Sequence, residues 1–151
     1  MIALIQRVSR AEVRVNGQAV GSIGPGLLVL AAVQRGDGET QARRMAERLA
    51  AYRVFPDADG RMNLDVNQAG GGILLVPQFT LAADTRKGNR PSLGRAAEPA
   101  VGQALFETLV AEVRARCSEV ETGRFGADMD VELVNRGPVT FWLEVPPEPV
   151  G

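Results

Sequence analysis

Two short segments concentrate the groups that could act on a ligand: Gln78-Phe79-Thr80-Leu81 and Asn135-Arg136-Gly137-Pro138-Val139-Thr140. Each ends or interrupts an apolar, strand-like run, where a rigid scaffold can present backbone groups and a few side chains. What the chain lacks narrows their chemistry. It has no histidine, so no Ser-His-Asp or Cys-His triad can be built and the commonest zinc ligand is missing. Thr80 carries a hydroxyl, but a threonine nucleophile needs an activating base and none stands beside it in sequence. The single Cys117 lies in an apolar helical pattern without a CxxC partner and reads as a buried structural thiol. Asp57 and Asp59 lack the full spacing and terminal glutamate of a calcium loop, and Gly70-Gly71-Gly72 lacks the Lys-Ser/Thr of a phosphate loop. No metal or cofactor is expected.

The elements that must position these segments follow from periodicity. Ile2 to Val8, Glu12 to Val20 and Leu27 to Val33 read as three strands, with a tight hairpin at Asn16-Gly17. From Glu39 the period changes: Ala42, Met45, Ala46, Leu49 and Ala50 share one helical face, with Asp37 or Thr40 available as cap. Val54-Phe55 and Arg61 to Leu64 flank a turn at residues 56–60, and the glycine run leads into an apolar central strand, Ile73 to Val76. A second helix starts after Pro99 and carries Val101, Leu105, Leu109 and Val113. Met129, Val131 and Leu133, then Val139, Phe141 and Leu143, alternate with polar or exposed positions and predict two strands joined through Gly137-Pro138. Residues 146–151 read as a loose tail. The expectation is one α+β domain, predominantly antiparallel, with two helices packed on the sheet.

Charge limits the partners. A formal charge of −1 and a pI near 5.5 argue against sequence-indifferent nucleic-acid binding over a broad face. The visible candidate for a local RNA contact is Arg86, Lys87, Arg90 and Arg95; a solvated loop is the alternative. One tyrosine and one tryptophan give little stacking capacity for a purely RNA-binding module. Nothing in the sequence reads as a leader or a membrane span, and cytoplasm is the expected location.

The two segments, with Ile5-Gln6-Arg7-Val8, Met62-Asn63-Leu64, Asp84-Thr85-Arg86-Lys87-Gly88, Arg90-Pro91-Ser92 and Thr122 to Met129, resemble the D-aminoacyl-tRNA deacylases nearly end to end. In that family a Ser-Gln-Phe-Thr motif and an Asn-x-Gly-Pro-Val-Thr motif face one active site. Pro77 stands where the family has Ser, which removes a hydroxyl and one backbone N–H.

The resemblance implies a barrel-like sheet in a homodimer, with the active site near the subunit interface. It further implies hydrolysis of the ester joining a D-amino acid to the terminal ribose of tRNA. Rejecting every L-amino acid while accepting many side chains requires a backbone wall rather than a side-chain pocket. Gly137 permits close approach and Pro138 restricts φ. The family peptide between them is cis and is presented to the partner subunit's pocket, against about 5–6% cis for X–Pro bonds in general. On the same grounds Arg7 holds that motif, alongside Asn135, Val139 and Thr140. Gln78 positions substrate, backbone N–H groups at Phe79 and Thr80 stabilise the developing oxyanion, and the RNA 2′-hydroxyl assists. Phe125 and Met129 line the pocket or else belong to the core. An exclusion filter would also pass glycyl-tRNA. The competing readings are an acyl-enzyme on Thr80, an esterase for small acyl esters and a non-catalytic RNA-binding module.

Overall fold

The computed structural model describes residues 1–149. Its backbone is β1 (Ile2–Val15), one strand where the pattern suggested two, followed by β2 (Gln18–Ile23) and β3 (Gly26–Ala32). The β1–β2 turn is Asn16-Gly17, with φ of 51° and 78°, the left-handed pair that a two-residue hairpin demands. The first half of β1 pairs with β3 and the second half with β2, both antiparallel.

Next come α1 (Glu39–Ala51), the short pair β4 (Phe55–Pro56) and β5 (Met62–Leu64), and β6 (Gly72–Pro77). A 3-10 turn spans Phe79–Ala82, followed by α2 (Pro99–Arg114), β7 (Val120–Thr122) and β8 (Asp130–Glu144). Strand β6 pairs parallel with both β3 and β7, so the sheet is mixed. Its order is β2-β1-β3-β6-β7, with β8 antiparallel along the whole of β1. The sheet curls until β2 returns to β7: a methyl on Gly21 would stand 2.6 Å from the Thr122 carbonyl oxygen. The result is a nearly closed barrel backed by two helices.

Both faces of the central strands are buried, which explains their continuous apolar runs. Leu27, Val29, Ile73 and Leu75 face the helices and pack with Met45, Leu49, Leu109 and Val113. Leu28, Leu74 and Val76 face the barrel interior with Val8, Val13 and Ile23. Neither Asp37 nor Thr40 caps α1. Gly38 is the N-cap, and the Gln41 side chain accepts its N–H at 2.8 Å. Asp37 instead accepts from the Met1 ammonium at 2.8 Å and the Gln34 N–H at 2.7 Å, a tertiary pairing that overrides the local signal. Residues 146–148 lie against this corner: Pro146 O accepts from Gln41 and the Glu148 N–H donates to Gly36 O. Residues 150 and 151 of the expected tail fall outside the described residues.

The other difference concerns β8, which does not turn at Gly137-Pro138. It continues antiparallel to β1, but Thr140 pairs with Gln6 and Asn135 with Val8. Arg136 to Val139 therefore bulge out opposite the single residue Arg7. A second shift leaves Ser9 as the extra residue in β1. An odd insertion exchanges the two faces of a strand. Thus Ala3 and Ile5 face the helices before the shift, whereas Ala11 and Val13 face the barrel after it.

The tightest backbone approach in the sheet is at the start of β3, where a methyl on Gly26 would stand 1.9 Å from the Gly72 carbonyl oxygen. Backbone cannot yield as a side chain can, so Gly26→Ala should cost about 3 kcal/mol or more. For a domain of this size that lowers Tm by roughly 6–12 °C. Gly24→Ala, with nothing within 4 Å of the added methyl, should shift it little. Equal melting of the two variants would refute the close-approach account.

Candidate active site

A cavity of about 440 Å³ opens where the ends of β3 and β6 meet the start of α2. Its apolar wall includes Ala31, Val76, Phe106, Phe125, Met129 and Val131, and its polar rim includes Gln78 and Asp128. Apolar lining with a few convergent polar groups is the usual character of a small-ligand site. Phe125 is held by the Phe106 ring, 6.5 Å between centroids, and by Gly102, where a methyl would come within 3.4 Å of it. Met129 Sδ accepts from the Arg124 N–H at 3.4 Å.

The rim at residues 78–80 is built by the end of β6. The Gln78 N–H donates to Ala31 O at 2.7 Å, closing the ladder to β3. Neighbouring residues in a strand aim their N–H groups to opposite edges, so the Pro77 nitrogen faces β7 beyond its last paired residue, Leu75. Proline is tolerated there because no ladder bond is lost. The chain then enters the 3-10 turn, and the opening N–H groups of a helix have no partner within it. Here these belong to Phe79 and Thr80, while the next ones, Leu81 and Ala83, donate to Gln78 O and Thr80 O. The Phe79 side chain is 56% exposed. The Thr80 hydroxyl accepts from the Gln78 amide.

The second group of residues forms the β8 bulge. Gly137–Pro138 is cis, and Gly137 has φ of 141°. Asn135 straps the bulge: its Oδ1 accepts the Val139 N–H and its Nδ2 donates to Thr140 Oγ1, both at 2.8 Å. Arg7 reaches from β1 to donate to Arg136 O at 2.9 Å and Val54 O at 2.7 Å. Gly137 and Pro138 themselves are exposed.

The structure thus brings Gln78, Phe79, Phe125 and Met129 together around the cavity, with Thr80 beside them. It places Gly137, Pro138 and Val139 in the bulge, with Asn135 and Thr140 flanking it and Arg7 opposite it on β1, and none of the six lines that cavity in the same chain. Sequence reasoning missed Val33, Ala97, Pro99, Gly102 and Phe106 as cavity wall. A glycine inside the apolar face of α2 was the available signal, since it marks a close approach.

Electrostatics are local. Hydrogen bonds from the Arg86 side chain and backbone N–H hold the Asp84 carboxyl far below the usual carboxylate range. A depressed folded value means that this exposed pair persists as pH falls through ordinary carboxylate titration. Burial pushes the Cys117 thiol up, so it is a poor thiolate at neutral pH. No cluster of metal-ligating side chains occurs among the described residues, and no helix in them is long and apolar enough to cross a membrane.

A curled mixed sheet with an apolar cleft at the ends of β3 and β6 defines the class of fold. The family described as D-Tyr-tRNA(Tyr) deacylase matches residues 4–144. The D-aminoacyl-tRNA deacylase of Thioalkalivibrio sulfidiphilus is 63% identical over 147 residues, 97% of this chain and 99% of that protein. That of Methylococcus capsulatus is 62% identical over 148 residues, 98% and 97% respectively. The solved structure of a c-Myc DNA unwinding element binding protein superposes with TM-score 0.92 at 34% identity, covering 97% of this chain and 99% of that one. A probable eukaryotic D-amino acid tRNA deacylase shares the fold, with TM-score 0.81 at 19% identity over 95% and 98%. The chain belongs to the D-aminoacyl-tRNA deacylase family.

The strap makes a local prediction. Val139 is only 6% exposed and its N–H is satisfied by Asn135. A buried donor left without a partner costs about 1–3 kcal/mol, so Asn135→Ala should speed Val139 amide exchange roughly ten-fold or more. Asn135→Asp keeps the acceptor and should exchange close to wild type. Unchanged exchange in Asn135→Ala would mean that the strap does not hold the bulge.

Proposed function

We propose that the protein hydrolyses the ester of D-aminoacyl-tRNA, in the cytoplasm, releasing free amino acid and tRNA. Family membership supports the reaction class, and the observation that carries the site assignment is the cavity lined by Gln78 and Phe79. Water attacks the ester carbonyl, negative charge develops on its oxygen, and the ribose oxygen departs with a proton. The Phe79 and Thr80 N–H groups meet that oxygen, a contribution of about 3–4 kcal/mol per well-placed donor. Gln78 positions the substrate, and Phe125 and Met129 provide the apolar wall. The 2′-hydroxyl of the terminal ribose assists the proton transfer that no histidine is present to perform.

Chiral selection falls to the bulge of a second copy. Gly137 and Pro138 project from the sheet and are braced by Arg7 and Asn135, which suits a rigid backbone probe. They do not line their own chain's cavity, so the reading requires a homodimer in which each copy completes the other's site. Val134, Phe141 and Trp142 expose apolar surface on the same strand, Trp142 to 52%, and exposed apolar clusters suit such an interface. An L side chain would meet the backbone, whereas a D side chain or glycine would not.

The acyl-enzyme alternative is less favoured because the Gln78 amide donates to the Thr80 hydroxyl oxygen, drawing on the lone pair that a nucleophile needs. Thr80→Val should therefore keep turnover within about ten-fold of wild type, since it removes no backbone donor. Loss to background in a folded, tRNA-binding variant would install the acyl-enzyme instead. A charged tRNA ending in 2′-deoxyadenosine should be cleaved about a hundred-fold slower or worse, the scale of a lost general acid–base group.

The decisive assay pairs D- and L-tyrosyl-tRNA at equal enzyme, with glycyl-tRNA alongside. Release of D-tyrosine and glycine with L-tyrosyl-tRNA left intact is expected. Similar release of both stereoisomers would reject the proposed function.

A further inference from the structure

We propose that the loop from Ala83 to Glu98 is the docking surface for the phosphate backbone of the tRNA acceptor arm, a role that rests on the deacylase reading above. Arg86, Lys87, Arg90 and Arg95 are all exposed. The two acids of the loop are both engaged: Asp84 by Arg86, and Glu98 by Arg35 at 3.3 Å. Lys87, Arg90 and Arg95 form no ion pair among the described residues. Several cations elsewhere are paired with acids, although arginines such as Arg61 and Arg114 are not among the described residues. Arg43 on α1 and Arg116 just past the end of α2 reach Glu112, and Arg44 reaches Glu47, the pattern of a solvated, self-compensated face. In a chain of net charge −1, uncompensated cations on one loop form a local positive patch.

Position gives the patch its occupant. Before the loop, Gln78 and Phe79 line the cavity; at its return, Ala97 and Pro99 do. The loop that carries the cations therefore leaves from the cavity and returns to it, beside the path of a nucleic acid whose 3′ end enters there. The loop is also held in shape. Asp84 and Ser92 exchange two backbone hydrogen bonds of 2.7 and 2.9 Å, the Arg35 N–H donates to Arg95 O at 2.9 Å, and the Ala97 N–H donates to Val33 O at 3.0 Å. Ala82 and Ala96 pack against Ile2 and Ala32 beneath it. Positive groups on a fixed frame contact phosphates without reading bases, so the patch serves many tRNAs alike.

The test compares wild type, a loop triple variant (Lys87→Ala, Arg90→Ala, Arg95→Ala) and a control removing equal charge from the helices (Arg43→Ala, Arg44→Ala, Arg114→Ala). Each is assayed on D-tyrosyl-tRNA and on D-tyrosyl-adenosine, which carries the ester but no phosphates, across a salt series. The loop variant should lose roughly 10- to 100-fold in kcat/KM on tRNA, through KM, and its log–log salt slope should be shallower by about 2, the counterion release of three contacts. On the adenosine ester it should match wild type, and the control should match wild type on both. Arg90→Lys with Arg95→Lys, which keeps both charges, should retain most of the tRNA activity. Unchanged tRNA kinetics and salt slope in the loop variant would overturn the docking role, as would an equal loss on both substrates. Inhibition by a DNA duplex as strong as by uncharged tRNA would assign the patch to polyanions in general and overturn the RNA assignment. Wild type cleaving neither ester would instead overturn the deacylase reading beneath it, an outcome distinct from loss in the variant alone.

Discussion

The register mismatch between β1 and β8 is the constraint on which the geometry around Gly137-Pro138 depends. Four residues, Arg136 to Val139, stand opposite one, Arg7, so the ladder cannot satisfy their backbone groups. Val139 is buried, and an unpaired donor there would cost about 1–3 kcal/mol, enough that a side chain must be recruited for it. Asn135 takes the Val139 N–H and Arg7 takes Arg136 O. The same guanidinium also takes Val54 O after α1, tying the bulge to the helical layer. A lysine could not replace it, because one ammonium lacks the forked geometry that meets two carbonyls on different elements. The bulge is thereby a rigid projection.

The same economy of backbone groups builds the other half of the site. Strand β6 is hydrogen-bonded to β3 up to Gln78, after which the chain enters the 3-10 turn, whose opening N–H groups, those of Phe79 and Thr80, have no partner within it. Pro77 fits this point because its edge partner has already ended. In the proposed mechanism both groups of residues act where a ladder stops, through main-chain atoms. A chain without histidine can work in this way, since preorganised dipoles need no titrating group.

Much of this was legible in the sequence because it is local. The Asn16-Gly17 hairpin, the start of α2 at Pro99 and the alternation of residues 129–143 each follow from a few neighbouring residues, and each is present. What was hidden is non-local. Gly137-Pro138 has the composition of a turn, and only pairing with a strand more than a hundred residues away reveals a bulge in a continuous strand. Asp37 has the composition of a cap, yet the Met1 ammonium claims it. The parallel pairing of β6 could not be told from its apolar run, which suits any fully buried strand. Gln78 and Phe79 were found through their motif, whereas Gly102 and Phe106 look like ordinary residues of an amphipathic helix.

Separation of the two motifs within one chain has a physical consequence for selectivity. A filter built into the same loop as the oxyanion donors would move with them, so any relaxation that admitted an L-substrate would also disturb catalysis. Here Phe79 and Thr80, the proposed donors, follow the end of β6, while the bulge is braced from β1 and Val54. If the bulge acts on a neighbouring copy's cavity, its position relative to the donors is set by an interface rather than by a loop. Packed interfaces resist continuous deformation. Discrimination by handedness needs such a wall, because an L and a D substrate differ only in which way the same atoms project.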